Sequence, residues 1–150
     1  MNPPLRTESD VKALIEGLVD GTMDCISTDH APHSAEEKAK YFDEAPFGIV
    51  GLETSAALTY TALVDTGLMS IMDMALKMSY NPAKVIGIDK EYGRLTEGAM
   101  ADIVIFNPNI EWTVDGNAFA SKGHNTPYNG KVLKGKVMAT ICDGALVYGG

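Results

Sequence analysis

The chain has 150 residues, 45% hydrophobic and 21% charged, values typical of one globular domain with a buried core. Its formal net charge is −8 and it contains no run of Lys or Arg, which argues against a nucleic-acid partner. No apolar stretch reaches the roughly 18 residues that a membrane-spanning helix needs.

The two cysteines, Cys25 and Cys142, are far apart in the sequence, and each lies in an apolar run. Their spacing matches neither a zinc ribbon nor a disulfide framework. We therefore expect two buried free thiols. Because the cytoplasm keeps thiols reduced, we also expect a cytoplasmic protein.

The first predicted element is a helix over residues 8–20. Thr7 and Asp10 have the spacing of a capping box at its start. Apolar residues then recur at helical spacing along one face, and Gly21 is placed to end the helix.

A buried strand is predicted next, because residues 23–28 form a short, mostly apolar run. A helix, a tight turn and a buried strand in this order indicate an α/β unit of a parallel sheet or barrel. Residues 29–50 are then predicted to form a long loop. Loops of that length in a compact domain are often functional.

Three further helices are predicted after this loop, over residues 53–66, 71–79 and 82–87. Ser70 and Asp73 predict a capping box at the start of the second of these helices. Asn81 is predicted to cap the third, with Pro82 at its first helical position.

The residue pattern changes near Lys90 from helical to β-like. Short β-like segments separated by Gly and Asn turns follow, at residues 101–106, 112–114, 132–133, 136–142 and 145–148. We therefore predict two parts, a mixed α/β region over residues 1–90 and a small all-β sandwich over residues 91–150.

The stretch richest in reactive side chains comes directly after the predicted strand, with Asp29, His30 and His33. In α/β barrels catalytic groups lie at the C-terminal ends of the strands, where an aspartate can bind a metal or act as a general base. Metal binding needs three or four convergent ligands. From the residues alone, a hydrolase site and a purely structural Asp-His pair both stay open.

The sequence TDHAPH at residues 28–33 resembles the last catalytic motif of the dihydroorotase family, within the amidohydrolase superfamily. Similar matches to loops, a helix and the tail of these proteins occur at residues 2–6, 46–54, 81–83, 98–104 and 125–128. The resemblance covers essentially the whole chain. It implies an α/β fold, the C-terminal portion of a metal-dependent (β/α)8 hydrolase barrel followed by a small all-β sandwich segment.

The resemblance also implies a function. Members of the dihydroorotase family are zinc-dependent cyclic amide hydrolases that interconvert N-carbamoyl-L-aspartate and (S)-dihydroorotate in de novo pyrimidine (UMP) biosynthesis. Asp29 matches the family's metal-bound aspartate and catalytic base. Asn2 and His33 match substrate-contacting positions, and Phe47 and Gly48 match a site where backbone groups contact the pyrimidine ring.

Several family features have no counterpart in the chain: the His-x-His motif, the carboxylated lysine and two further metal-binding histidines. His30 is expected to be a packing residue, Arg6 a structural arginine and His124 a surface or turn residue. The chain is therefore expected to be a fragment, inactive alone, of an enzyme with one or two zinc ions.

Two alternatives stay open. Allantoinases and hydantoinases share the superfamily fold, but His33 favours dihydroorotate, whose carboxylate can accept a hydrogen bond. A non-catalytic dihydroorotase-like scaffold is the other, and the retained Asp29 and His33 argue against it. The expected partner is a small-molecule substrate, with neither nucleic acid nor membrane. The resemblance leaves a homo-oligomer or an aspartate transcarbamoylase partner open.

Overall fold

The structure is a computed structural model, which describes residues 2–4 and 6–149. The order of elements is mixed α/β, as predicted, with helices first and a sheet at the end. None of the helices in the described part of the chain is both long and apolar enough to cross a membrane. The predicted division near residue 90 stays a prediction.

The first helix, α1, spans Glu8–Val19 and begins with the predicted capping box between Thr7 and Asp10. Gly21 follows the end of α1 with a φ of 89°, a conformation that glycine adopts without the steric penalty of a Cβ atom. Ile15 and Leu18 of α1 pack against a core cluster. The rest of the predicted apolar face is exposed, namely Val11, Leu14 and Val19.

Residues 24–29 form no strand, which corrects the prediction of a buried barrel strand over residues 23–28. The segment is held by helical residues instead of strand neighbours. The Ile26 N–H donates to the Lys77 carbonyl at 3.0 Å, and the Asn81 side chain donates to the Asp24 carbonyl at 2.8 Å. The buried Lys77 also donates from Nζ to the Met23 carbonyl. A parallel barrel strand needs strands on both sides, and the described residues supply none there.

The predicted helix over residues 53–66 is shorter and changes its winding. A four-residue helix, α2 (Ala35–Lys38), precedes it and was not predicted. The helix α3 then spans Ser55–Thr59 and continues into a π-helical turn, Tyr60–Val64.

The two helices predicted over residues 71–79 and 82–87 form one helical run, so Asn81 is not a cap. The run consists of α4 (Ile71–Ala75), a π-helical turn (Leu76–Tyr80) and α5 (Asn81–Val85). Asn81 has helical φ and ψ angles of −64° and −43°. Pro82 has no N–H to donate and its ring crowds the preceding turn, and the wider π-helical winding just before it accommodates both effects. The capping box between Ser70 and Asp73 is confirmed.

Residues 103–149, here called the tail, contain a three-stranded antiparallel sheet in the order β1-β2-β3. The strands span Ile103–Thr113, Val132–Cys142 and Ala145–Gly149, so the short predicted segments merge into longer strands. Over residues 2–4 and 6–149 this is the only sheet, and the predicted sandwich is therefore not confirmed.

Two apolar clusters join the sheet to the helices. In the first, Val114 and Leu133 of the tail pack against Ala57 of α3. The second is centred on Leu63, Met69 and Met74, and Phe106 of β1 packs against it. The Phe106 ring lies 5.4 Å from the Tyr60 ring, centroid to centroid, at an interplanar angle of 54°. Helices and tail therefore share their cores.

The prediction of two buried thiols is wrong: Cys142 is exposed and Cys25 is partly exposed. Cys142 is the last residue of β2, next to the turn that leads into β3. An apolar sequence run does not bury a residue where no second layer covers the strand.

Candidate functional site

Two loops run side by side where the sequence predicts the site. His30 and Ile49 form an isolated parallel bridge, and the Ala31 N–H donates to the Ile49 carbonyl at 2.9 Å. The loop from residue 28 to residue 34 therefore lies against the loop from residue 46 to residue 51.

Asp29 begins the first loop in a left-handed backbone conformation, with a φ of 45°. Among residues with a Cβ atom, aspartate and asparagine tolerate this region best, and such conformations are common at functional sites. Its side chain is exposed. Within the described chain the Asp29 carboxylate makes no hydrogen bond or ion pair with another residue, so it is available to an outside group.

His33 is tied to the second loop through its ring. Its Nε2 atom lies 2.7 Å from the Phe47 carbonyl oxygen, a contact in which Nε2 carries the hydrogen and donates. The other ring nitrogen, Nδ1, lies 3.9 Å from a Glu37 carboxylate oxygen. The ring is thus held at one nitrogen by backbone and faces a carboxylate at the other.

Gly48 allows the two loops to approach this closely. Its φ is 119°, which strongly favours glycine, and a Cβ atom there would lie 2.5 Å from Cβ of Ala31 and 3.2 Å from Nε2 of His33. Any other residue would push the loops apart.

His30 bonds the backbone at the end of the second loop. Its Nδ1 atom accepts a hydrogen bond from the Gly51 N–H at 3.1 Å and a longer one from the Leu52 N–H at 3.4 Å. Because Nδ1 is an acceptor, the hydrogen of the neutral ring is on Nε2. His30 is used here for packing rather than for reaching outward.

Asn2 and Arg6 stand apart from this group. Both are exposed, and within residues 2–4 and 6–149 neither makes a side-chain hydrogen bond to Asp29, His33 or the second loop. A hydrogen bond therefore joins His33 with Phe47, and Gly48 lies beside the His33 ring, while the convergence of Asn2 and Asp29 with them stays a prediction. His124 is exposed and its Nδ1 atom contacts the Gly116 carbonyl at 2.6 Å, as expected of a turn residue.

Two residues that sequence reasoning missed hold the loops in place. Asn125 bonds both loops through its side-chain amide. Lys38 donates from Nζ to the carbonyls of Pro46 at 2.9 Å and Gly48 at 3.1 Å. The tail motif at residues 125–128 was a signal for Asn125, but only the three-dimensional structure shows which loops it bonds.

The described residues do not by themselves fit a zinc site. Zinc in proteins takes three or four Cys, His or carboxylate ligands. In the part of the chain that the structure describes, no three His, Cys, Asp or Glu side chains are grouped so that they could hold a metal ion. Asp29 can supply one oxygen ligand, and further ligands would have to come from elsewhere.

A separate cleft of about 720 Å³ lies between α3 and the sheet. Its walls are mostly apolar and include Trp112 and Phe119, with His30 at one edge. Neither Asp29 nor His33 lines it. The predicted site is therefore an open surface of the two loops and not this cleft.

Comparison with known proteins places these loops in a family. Residues 2–147 match the amidohydrolase family. The chain is 55% identical over 148 residues to the dihydroorotase of Clostridioides difficile, covering 99% of this chain and 34% of that protein. The dihydroorotase of Pelotomaculum thermopropionicum is 52% identical over 147 residues, covering 98% of this chain and 34% of that protein.

Solved structures agree at the level of the fold. A D-hydantoinase (dihydropyrimidinase) from Thermus sp. superposes with a TM-score of 0.92 at 27% identity, covering 99% of this chain and 33% of that one. The L-hydantoinase from Arthrobacter aurescens gives 0.91 at 31% identity, covering 98% and 33%. The chain thus spans about a third of the length of its relatives. With the family match extending over residues 2–147, the chain belongs to the amidohydrolase family.

Proposed function

We propose that the chain is the catalytic-loop and tail segment of a dihydroorotase, which interconverts N-carbamoyl-L-aspartate and (S)-dihydroorotate. One observation carries this proposal. The chain is 55% identical to a dihydroorotase, whereas the hydantoinases of similar fold are 27% and 31% identical. Both site loops lie within the segment that is matched at the higher identity.

Asp29 is the proposed general base. Ring opening of dihydroorotate needs a group that takes a proton from the attacking water and returns it to the leaving ring nitrogen. Asp29 has a left-handed backbone conformation and an exposed carboxylate. This carboxylate has no partner within the described chain and can serve in both steps.

His33 and the second loop are the proposed substrate-binding groups. The His33 Nε2 atom is engaged by the Phe47 carbonyl at 2.7 Å, which fixes the orientation of the ring. When Nδ1 of His33 is protonated, it can then donate a hydrogen bond to the carboxylate of the substrate, because a charged donor binds an anion strongly. The Gly48 backbone, which has no side chain over it, can approach the substrate ring closely. Asn2 is proposed to contact the substrate from its own loop.

Zinc is part of the proposal only in combination with residues that this chain lacks. When bound, the metal would polarise the amide carbonyl as a Lewis acid. Asp29 is the one ligand that we propose from this segment. The zinc count, a cytoplasmic location and any oligomer or aspartate transcarbamoylase partner stay predictions.

A hydantoinase-type activity is the second candidate, favoured by the TM-score of 0.92 to the Thermus sp. enzyme. The test is a hybrid enzyme, which we define as the Clostridioides difficile dihydroorotase with this chain in place of its matching segment. Zinc-loaded hybrid is assayed with dihydroorotate and hydantoin side by side, against the unmodified parent. We expect clear preference for dihydroorotate.

Preference of the hybrid for hydantoin would assign the segment to the hydantoinases. A hybrid that folds, retains the parent's zinc content and hydrolyses neither compound would favour the non-catalytic scaffold. Circular dichroism and metal analysis of hybrid and parent separate these outcomes from a failure to fold.

A further inference from the structure

Asn125 of the tail connects the two site loops. Its side-chain Nδ2 donates to the Ala31 carbonyl at 3.0 Å and to the Gly48 carbonyl at 3.1 Å. Its Oδ1 accepts from the His33 N–H at 3.1 Å, and its backbone carbonyl accepts from the Val50 N–H at 3.2 Å. One residue thus makes two bonds to each loop.

The amide is chemically matched to these partners. Two carbonyls need donors and one N–H needs an acceptor, and the asparagine side chain supplies both from one short, planar group. The same demand fixes which amide atom is oxygen, because the reverse orientation would place two acceptors against each other. An aspartate could accept from His33 but could not donate to Ala31 or Gly48.

The chain around Asn125 is packed tightly against the first loop. A Cβ atom at Gly123 would lie 2.7 Å from Pro32, and Gly123 is buried. Asn125 itself is partly buried. The position of the amide is therefore set by backbone packing, so it can act as a fixed reference for both loops.

We propose that Asn125 is a positioning residue for substrate binding. It sets the spacing between the His33 ring and the Gly48 backbone, which lie in different loops, and through that spacing it sets selectivity for an anionic ring substrate. This inference rests on the proposed function, in which His33 meets the substrate carboxylate. Asn125 itself need not contact substrate.

The test uses the zinc-loaded hybrid enzyme with Asn125→Ala and Asn125→Asp, and with Asn129→Ala as the matched control. Asn129 is a nearby tail asparagine that also holds backbone, accepting from the Gly116 N–H at 2.8 Å, but no hydrogen bond of its side chain reaches either loop. For Asn125→Ala we expect KM for dihydroorotate to rise about tenfold with kcat changed about twofold or less, since the bonds lost are those to Ala31, His33 and Gly48 and not to Asp29. Asn125→Asp should raise KM at least as much as Asn125→Ala, because a carboxylate oxygen would face the carbonyls of Ala31 and Gly48. The Asn129→Ala control should leave both constants unchanged.

A second measurement separates positioning from general loosening of the fold. In a His33→Ala background, Asn125→Ala should raise KM much less than tenfold, because the group that it positions is gone. For an uncharged ring such as hydantoin, Asn125→Ala should change KM less than it does for dihydroorotate. Additive effects of the two substitutions, or equal effects on both substrates, would overturn the inference.

Amide hydrogen exchange gives a readout that does not need turnover. Peptides covering residues 31–34 and 46–51 should exchange faster in Asn125→Ala and Asn125→Asp than in the unmutated hybrid. In Asn129→Ala their exchange should not change. Unchanged exchange in the Asn125 variants would overturn the inference that Asn125 positions the two loops. If the unmutated hybrid is folded but inactive, the proposed function fails, and the exchange comparison still decides whether Asn125 holds the loops.

Discussion

The tail sheet and the site loops satisfy their backbone hydrogen bonds in different ways. Strand β1 pairs with β2 from Ile103 opposite Ile141 to Thr113 opposite Val132, so the main chain supplies both donor and acceptor. In the loops a few side chains bond the backbone instead, chiefly His30, Lys38 and Asn125.

This difference separates two kinds of sensitivity to mutation. The sheet shares its core with the helices, so a change that disturbs its packing should lower stability without moving the site residues. A loop held by three side chains depends on each of them for its position. Changes in the loops should therefore alter activity with little loss of stability, and changes in the sheet should do the reverse. The following substitutions in the hybrid enzyme test that contrast.

Asp29→Asn is expected to have the largest effect. The amide has nearly the size of the carboxylate, so the fold should be kept, but it cannot accept the proton. Loss of a general base costs about 10²–10⁴-fold in rate. We expect kcat for dihydroorotate to fall by about that factor while the thermal midpoint stays that of the unmutated hybrid. Near-normal kcat would remove Asp29 from the proposed mechanism.

Gly135→Ala tests the sheet. Gly135 has a φ of 89°, and a Cβ atom there would lie 2.2 Å from the ring carbon Cζ of Phe106. The matched control is Gly144→Ala, where φ is 76° but the space is open. The control should cost about 1–2 kcal/mol from backbone strain alone. Gly135→Ala should cost about 1–3 kcal/mol more from overpacking. Both should leave KM unchanged, and equal losses would show that Phe106 moves aside freely.

His33→Ala tests the loops with a smaller effect. It removes the donor proposed for the substrate carboxylate and the bond to the Phe47 carbonyl. We expect KM for dihydroorotate to rise about tenfold, the equivalent of about 1.4 kcal/mol for one charge-assisted hydrogen bond. The KM for hydantoin should change less. Steady-state kinetics on both substrates checks this, and an equal change for both would argue against the carboxylate contact.

Glu37→Gln is expected to have the smallest effect, and it depends on pH. The pKa of Glu37 is lowered, first by the backbone N–H of Ser34 and then by the Ser34 hydroxyl. Because its pKa is lower in the folded state, the ionised Glu37 carboxylate stabilises the fold above an unfolded pKa of about 4.3. This stabilisation is lost as the pH falls through the pKa of the folded state. Gln keeps an oxygen acceptor without the charge. The thermal midpoint of Glu37→Gln should be lower than that of the hybrid at pH 7, and the gap should close in acid. A gap that persists there would contradict the assignment.

Local signals predicted the elements whose partners are near in sequence. The capping boxes at Thr7 and Ser70 need only residues three positions apart, and both are present. Strands β2 and β3 pair across the short turn at residues 143–144, while the longer segment at residues 114–131 joins β1 to β2. Their β-like composition was enough to find all three. The α/β fold class was predicted from a helix, a turn and a strand over residues 8–28 and from the family resemblance, and it holds although that strand does not form.

Long-range partners explain what the sequence did not predict. The apolar run at residues 23–28 would be a barrel strand only beside other parallel strands, and here it is held by Lys77 and Asn81 instead. Asn81 is an ideal cap by residue type, but the helix continues through it, and its side chain bonds the Asp24 carbonyl.

For the site, the motif at residues 28–33 and Gly48 could be read from the sequence, and their loops do lie together. The bond between His33 and Phe47 spans 14 positions and the one between His33 and Asn125 spans 92, and no local pattern encodes either. Motifs therefore indicate which residues belong to a site, while the side chains that hold it in place are found from the structure.

The contact between Tyr60 and Phe106 constrains how members of this family can exchange segments. The two rings lie 5.4 Å apart although they belong to a helix and to the tail sheet. A recombination crossover between residues 93 and 102 would take one ring from each parent. Such a chimera keeps its core only where both parents have aromatic side chains of matching size, so tail and helices are expected to be inherited together.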